Sequence, residues 1–101
     1  MNLKCYVYIL AMADGQLYTG STTDLNRRMD EHHTGKVRST CHRRPLELIH
    51  CEAYALESDA RRREQFLKTT EGKRLLRQQI RDCLIAKQIA KQILDAIDFA
   101  E

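Results

Sequence analysis

The sequence has 101 residues, of which 43% are hydrophobic and 31% charged, and its formal net charge is +3. This length and composition fit one globular domain with a modest core, and they exclude a disordered chain or a pair of domains. No apolar run reaches the ~20 residues of a membrane span, and the first residues lack the features of a signal peptide. We therefore expect a cytoplasmic protein that does not enter a membrane.

The start of the chain predicts a β-hairpin. Residues 4–11 are aromatic and β-branched, which favours a strand too apolar to lie at a solvated edge. Asp14 and Gly15 form a strong turn signal, and residues 16–22 provide the return strand. We therefore expect two antiparallel strands joined by a tight turn.

A helix, a loop and a third strand are predicted next. The segment around Asp24 offers N-cap chemistry for a helix that runs to about Thr34 and ends at Gly35. Residues 36–45 are basic and polar, and they predict a loop. Residues 46–54 alternate well enough between apolar and polar side chains for a third strand.

Two helices are predicted after the third strand. Ser58 is the expected N-cap of a helix from Asp59 to about Thr70. Beyond Gly72 a helical pattern runs toward residue 98, and its apolar side chains share one broad face. The predicted order is β-β-α-β-α-α, an α+β domain with a small, mainly antiparallel three-stranded sheet, flanking helices and a helical C-terminal extension.

Tyrosines cluster on the predicted hairpin. Tyr6 and Tyr8 share one face of the first strand, and the hairpin brings Tyr18 beside that strand. Such clusters usually pack a core, and the chemical alternative is a phenol that orients or deprotonates water. Gly20 lies inside the return strand, which is typical of a bulge or of close approach by a ligand.

The first predicted helix directs polar groups toward the core. Leu25 and Met29 mark its inner face; His32 falls between them on the helical wheel, with Arg28 just beside them. Arg27 points elsewhere. A cation and an imidazole on a packed face need a partner or a function. A satisfied interfacial histidine is the ordinary interpretation of His32, and a site residue is the alternative.

The second predicted helix directs a carboxylate inward. Ala60, Glu64 and Leu67 follow the spacing of one helical stripe, so Glu64 lies between two apolar neighbours. An inward carboxylate is costly unless it is ion-paired or binds a metal. Either a salt bridge or a site shared with Arg28, His32 and the tyrosines would explain it.

Basic residues concentrate in the middle of the chain, whereas its end carries Asp95, Asp98 and Glu101. This distribution fits a polyanionic partner, whose affinity comes largely from phosphate neutralisation. The alternative is a solvated face on which basic and acidic side chains are interleaved.

Taken in chain order, these residues resemble the GIY-YIG nuclease superfamily, especially its small single-domain bacterial members. Tyr6-Val7-Tyr8 stands where the first motif falls, and Tyr18-Thr19-Gly20 stands where the second falls. The likeness continues through residues 22–32, 35–36, 43–45 and 63–69, and it covers the chain from residue 4 to about 76. The first triplet reads Tyr-Val-Tyr rather than Gly-Ile-Tyr, and no asparagine follows Glu64.

The resemblance implies a role for each matching residue. Tyr18 would act on the attacking water with support from Tyr8, and Arg28 would hold the scissile phosphate. His32 would assist proton transfer or bind the phosphate, and Glu64 would bind a divalent metal, Mg²⁺ or alternatively Mn²⁺. Further contacts to nucleic acid are predicted for Tyr6, Gly20, Lys36, Arg38, Arg43, Arg44 and Lys68. We expect the catalytic groups to line one solvent-reachable cleft.

The resemblance also implies a function, a metal-dependent endonuclease that hydrolyses DNA in repair, recombination or defence, with DNA favoured over RNA. The alternatives are a nucleic-acid-binding module with little cleavage and a subunit that depends on a partner. The nuclease domain is expected to span residues 1–76, with residues 77–101 as a helical extension packed on it. That extension would cap the core or, alternatively, form a surface for a homodimer or a partner protein.

Overall fold

The computed structural model describes residues 1–100, with side chains to residue 98, and its centre is a three-stranded antiparallel sheet. The strands are β1 (Cys5–Ala11), β2 (Leu17–Thr22) and β3 (Glu47–Tyr54), in the order β2-β1-β3. The helices are α1 (Leu25–His33), α2 (Glu57–Leu67), α3 (Thr70–Gln79) and α4 (Arg81–Ala100). The predicted α+β fold and antiparallel sheet are confirmed, with one helix more than predicted.

The middle strand β1 is buried on both of its faces, which explains its unbroken apolar sequence. Val7 and Ile9 pack with side chains of α2, α3 and α4 on one face. Tyr8 and Leu10 pack on the other face, where the inner side chains of α1 cover them. Helices α1 and α2 therefore lie on opposite faces of the sheet.

The predicted hairpin turn and the limits of α1 agree with the structure. Gly15 has a φ of 84°, and its amide donates to the Met12 carbonyl oxygen at 2.9 Å. The Asp24 carboxylate caps α1 by accepting from the Arg27 amide at 3.1 Å. Gly35, with a φ of 79°, ends the helix in the left-handed conformation that glycine allows.

The predicted start of α2 is wrong. The helix begins at Glu57 with Leu56 at the N-cap, and no side chain caps it there. Ser58 lies inside the first turn rather than ahead of it. Acidic Glu57 and Asp59 occupy that turn, where carboxylates interact favourably with the helix dipole. The dipole interaction takes the place of the capping hydrogen bond expected from Ser58.

The long final helix predicted beyond Gly72 is in fact two helices. α3 begins at Thr70 and contains Gly72, whose amide donates to the capping Thr69 hydroxyl at 3.0 Å. α3 ends at Gln79 with Ile80 as its C-cap, and Ile80 is buried in the core along with Leu76. Leu76 and Ile80 are four residues apart and would share one face of an unbroken helix as well, so helical periodicity alone does not reveal the break.

Only the beginning of α4 caps the core. Cys83 and Leu84 pack against buried side chains, but the apolar residues farther along are between 42% and 61% exposed, namely Ile85, Ile89, Ile93, Leu94 and Ile97. The radius of gyration is 15.0 Å, against about 13 Å for a compact chain of this size. On the outer turns none of the described residues covers this face, so only the start of the helix contributes to the core.

Some expectations about the C-terminal region stay open. The division of the chain at residue 76 and the role of residues 77–101 as a unit remain predictions, and Glu101 lies outside the described residues. No helix in residues 1–100 has the length and apolar character needed to cross a bilayer.

Gly72→Ala tests the packing of α3 against the end of α2. A Cβ at this position would lie 1.9 Å from the Phe66 carbonyl oxygen and 2.9 Å from the Leu67 Cα, so backbone must move. We expect the free energy of unfolding to fall by about 1–3 kcal/mol or more, measured by urea denaturation. Lys73→Ala, at the exposed neighbouring position, is the control, and equal stability of the two variants would contradict the close approach.

Candidate active site

The Tyr8 hydroxyl is the centre of a buried polar group on the α1 face. It lies 2.8 Å from His32 Nε2, and Arg28 Nε donates to it at 3.4 Å. The four-residue spacing of Arg28 and His32 on α1 places both side chains over Tyr8. Burial raises the pKa of the Tyr8 phenol, and the hydrogen bond from Arg28 offsets this only in part. Tyr8 is therefore a protonated phenol at neutral pH.

His32 is fully buried, and each of its ring nitrogens has a partner. Nε2 is bonded to Tyr8, and Nδ1 lies 2.8 Å from the Thr40 hydroxyl. Burial, followed by the positive charge of Arg28, lowers the pKa of His32 to about 4. The imidazole is therefore neutral near pH 7, with one nitrogen donating and the other accepting. Because no part of the ring is exposed, the expectation that His32 binds a phosphate directly is not met.

Thr40 is a site residue that sequence reasoning missed. It is fully buried although it belongs to the polar loop before β3, just ahead of a short 3₁₀ turn, Cys41–Arg43. Its hydroxyl can donate to His32 Nδ1 or accept from it, so it pairs this buried nitrogen in either tautomer while Nε2 is paired with Tyr8. Nothing in the loop sequence distinguishes this threonine from its solvated neighbours.

Gly20 leaves room for the Tyr8 phenol because it has no side chain. Tyr8 and Gly20 are paired across β1 and β2, and a Cβ on Gly20 would lie 2.4 Å from the Tyr8 hydroxyl oxygen. Gly20 is itself buried, so the structure does not present it to nucleic acid as predicted. The glycine signal did mark a close approach, but the approaching group belongs to the protein.

Tyr18 completes the aromatic part of this face. Its ring centroid is 5.2 Å from that of His32 and 6.3 Å from that of Tyr8. The side chain is half-buried, and its hydroxyl forms no hydrogen bond to the residues that the structure describes. Of the two phenols, Tyr18 is thus the one available to an incoming water or substrate.

The Glu64 carboxylate reaches strand β2 from the face of the sheet that α2 covers, which is opposite to the face of Tyr8 and Tyr18. Ser21 Oγ donates to Glu64 Oε1 at 2.6 Å, and Lys68 Nζ lies 3.0 Å from Oε2. Burial acts to raise the pKa of Glu64, but the hydrogen bonds from Ser21 and Lys68 outweigh it and hold the pKa below its ordinary value. Glu64 is therefore ionised at neutral pH, and Lys68 is engaged with it instead of being free for nucleic acid.

The predicted single cleft is wrong in its simple form, because the sheet separates Glu64 from Tyr18. The two groups approach each other only around β2, which is an edge strand. A cleft of about 450 Å³ opens at the Thr22 end of β2, lined by side chains of β2, α1 and α2 that include Arg28 and Ser21. The other predicted catalytic residues do not line it, namely Tyr8, Tyr18, His32 and Glu64. Arg28 contacts Tyr8 on one face and Ser21 contacts Glu64 on the other, so the cleft joins the two halves.

Charged residues that sequence reasoning left out line the same cleft. Arg27, predicted to point elsewhere, lies on its wall together with Glu31 of α1. Arg61 and Glu57 contribute from α2. Their places on the two helices were evident from the sequence, but the meeting of the helix ends around β2 depends on the tertiary fold.

The other predicted nucleic-acid residues are dispersed. Arg43 forms an ion pair with Asp14, with its Nη2 at 2.6 Å from the carboxylate, and so ties the loop to the hairpin turn. Arg44 donates to the Cys41 and His33 carbonyl oxygens, which holds the loop against α1. Lys36 and Arg38 are exposed on that loop, and Tyr6 is half-buried on β1.

The donor groups around Glu64 fit part of a magnesium site. The described residues contain no cluster of three or more histidine, cysteine or acidic side chains that could enclose a metal. Glu64 and Ser21 nevertheless place a carboxylate and a hydroxyl oxygen together beside the cleft. Mg²⁺ is commonly held by one or two carboxylates, with water and substrate phosphate as its other ligands. This chemistry suits such an ion if Lys68 moves from the carboxylate.

Comparison with known proteins identifies a matching domain. The profile of the GIY-YIG catalytic domain matches residues 4–77. A UPF0213 protein of Streptococcus agalactiae is 41% identical over 69 residues, which cover 67% of this chain and 78% of the relative. A UPF0213 protein of Staphylococcus epidermidis is 45% identical over 67 residues, covering 65% and 82%. The solution NMR structure of a UPF0213 protein from Bacillus halodurans is 39% identical, covers 71% of this chain and 80% of that one, and has a TM-score of 0.47.

The neutral state of buried His32 predicts a pH dependence of stability. Its pKa is about 4 in the folded protein and about 6.5 in an unfolded chain. The unfolded state therefore takes up the proton first, and the free energy of unfolding falls as the pH drops from about 6.5 toward 4, by on the order of 3 kcal/mol. We expect His32→Gln to remove this part of the pH dependence in urea titrations, and exposed His33→Gln to retain it. Identical pH profiles for wild type and His32→Gln would show that the folded protein protonates His32 freely.

Two substitutions at Thr40 separate its hydrogen bond from its packing. Thr40→Val keeps the shape but leaves a buried nitrogen of His32 unpaired, which costs about 1–3 kcal/mol. Thr40→Ser keeps the hydroxyl and loses one methyl group, which costs about 1 kcal/mol. In chemical denaturation we therefore expect a higher free energy of unfolding for Thr40→Ser than for Thr40→Val. If packing alone matters, the volume-conserving valine will be the milder change.

Proposed function

Because the chain belongs to the GIY-YIG catalytic domain family, a family of nucleases, we propose that it is a metal-dependent endonuclease that hydrolyses phosphodiester bonds in DNA. The observation that carries this proposal is the cleft at the edge of β2. Arg28 on one wall contacts the buried Tyr8 phenol, and Ser21 on another contacts the ionised Glu64. A phosphate in this cleft would meet a guanidinium and lie beside a carboxylate able to hold a cation.

Arg28 supplies the positive charge for the reacting phosphate. In hydrolysis a water oxygen bonds to phosphorus while the bond to the leaving oxygen breaks, and negative charge gathers on the other phosphate oxygens. Arg28 has a side chain about one-third exposed, and its Nε is held by Tyr8. Its remaining N–H groups can turn from Glu31 to the phosphate and bind two oxygens at once. A cation fixed before the reaction stabilises the developing charge.

The tyrosines take different roles. Tyr18 orients the attacking water, since its hydroxyl is free of hydrogen bonds to the described residues. To act as the base it would first give up its own proton to solvent, and the phenolate oxygen would then take the proton of the water as the oxygen–phosphorus bond forms. Tyr8 stays protonated and holds Arg28 in place. His32 and Thr40 are positioning residues that fix the Tyr8 phenol from behind.

Glu64 is the residue that would hold the divalent metal, with Mg²⁺ or Mn²⁺ as the candidates and Ser21 supporting the carboxylate. Nucleases of this family generally use divalent metals. When bound, such an ion supplies Lewis-acid stabilisation of the phosphate and the leaving oxygen. Lys68, which pairs with Glu64 in the absence of metal, can then move to the nucleic acid.

The cellular setting and the partners extend the proposal. We place the activity in the cytoplasm, on DNA in repair, recombination or defence. A partner-dependent subunit is the second candidate, because the outer turns of α4 carry exposed isoleucines and lie beyond the matched residues 4–77. A homodimer or partner protein through this helix remains a prediction. A cleavage assay distinguishes this proposal from a module that binds nucleic acid without cutting it.

Cleavage assays with matched variants test the proposed function. We expect wild type to cut plasmid, branched or single-stranded DNA with Mg²⁺ or Mn²⁺ and not with EDTA. Tyr18→Phe, Arg28→Lys and Glu64→Gln should each reduce the rate by about 10²–10³-fold, because each removes one group that acts on the reacting phosphate or water. His33→Gln, an exposed change on α1, should keep the wild-type rate.

Two outcomes would contradict the assignment. Equal cleavage by wild type and all of these variants would identify a contaminating nuclease. Binding that weakens steeply with salt, without any cleavage, would show a binding module. RNA of the same sequences, assayed in parallel, decides between the two nucleic acids.

A further inference from the structure

The cleft has a second group of cations away from Tyr8. Arg27 projects into it from α1 and Arg61 from α2, the helices on opposite faces of the sheet. Both side chains are about 71% exposed. Hydroxyl groups of Thr22 and Thr23, at the end of β2, lie along the same wall. Guanidinium and hydroxyl groups that converge from two sides are the donors proteins use for phosphate oxygens.

The carboxylates that pair with these two arginines have other stabilising interactions. Asp24 lies 4.0 Å from Arg27 and caps α1, so its carboxylate also accepts a backbone hydrogen bond. Glu57 lies 2.6 Å from Arg61 and is the first residue of α2, where the helix dipole favours a negative charge. Exposed ion pairs of this kind contribute little, typically about 0–1 kcal/mol. Each arginine can therefore turn to a phosphate while its carboxylate keeps a favourable environment.

We propose that Arg27 and Arg61 bind a backbone phosphate next to the scissile one, so that the strand crosses the sheet edge between α1 and α2. This assignment rests on the proposed function, since it takes Arg28 as the residue at the scissile phosphate. The cleft, at about 450 Å³, is larger than one phosphate requires and falls within the usual range of ligand pockets. A second phosphate contact would fix the direction of the DNA strand through the site, and it would do so without recognising the base sequence.

Arg62 provides a matched control. It follows Arg61 on α2, its side chain is 73% exposed, and it is paired with Asp59 at 2.9 Å. It does not line the cleft. Arg61→Gln and Arg62→Gln thus remove the same charge, at similar exposure, from adjacent positions. If Arg61 contacts a phosphate, only Arg61→Gln should weaken DNA binding, whereas a diffuse effect of surface charge would make the two variants behave alike.

The test is DNA binding as a function of salt, measured by fluorescence anisotropy with a short labelled duplex and its single strand, in EDTA to prevent cleavage. Loss of one phosphate contact should lower the slope of log K against log salt by about 1. It should also weaken binding by on the order of tenfold at low salt. We expect both effects for Arg27→Gln and Arg61→Gln, and an unchanged slope for Arg62→Gln. Urea midpoints equal to wild type would show that the variants remain folded.

The possible results separate this inference from the proposed function. Equal slopes for Arg61→Gln and Arg62→Gln, with cleavage by wild type intact, would overturn the second phosphate site and leave the nuclease proposal standing. A reduced slope for Arg61→Gln in a protein that never cleaves would support the phosphate site and remove the nuclease. Wild type that binds neither probe would overturn the inference.

Discussion

The buried hydroxyl of Tyr8 is the contact on which the rest of the site depends. It lies over Gly20, touches His32 and accepts a hydrogen bond from Arg28, so it links the middle strand, the edge strand and α1. A buried phenol oxygen needs these partners, because an unpaired polar atom there is costly. The same oxygen fixes the inner end of Arg28 while its outer N–H groups face the cleft. The contacts that pack the Tyr8 phenol in the core therefore also position the positive charge of Arg28.

A domain with a three-stranded sheet can combine side chains from its two faces only at an edge. α1 and α2 cover opposite faces, so Arg28 and Glu64 would be separated if β2 were an inner strand. Ser21 and Gly20 are adjacent on β2 and point to different faces, one toward the Glu64 carboxylate and the other toward the Tyr8 phenol. The edge strand β2 therefore separates the two groups and is also the place where they come closest.

The sequence predicted what depends on local periodicity and failed where tertiary packing decides. The hairpin, α1 and the inward direction of His32 and Glu64 follow from strand and helix spacing, and the GIY-YIG resemblance is confirmed over residues 4–77. The break at Ile80 escaped because both helices that it joins share one apolar pattern. Thr40 escaped because its importance comes from a contact with a residue eight positions earlier.

Electrostatics gives the two halves of the site different states before any substrate arrives. Burial raises the pKa of Tyr8 and lowers that of His32, so both groups on the α1 face are neutral at physiological pH. Among the residues that the structure describes, Arg28 is then the one charged group that forms a hydrogen bond with this neutral pair, and it also lines the cleft. On the other face, hydrogen bonds from Ser21 and Lys68 keep Glu64 ionised. A positive and a negative group thus remain on opposite sides of β2, separated by neutral residues, and a phosphate with a divalent cation is a ligand that complements both.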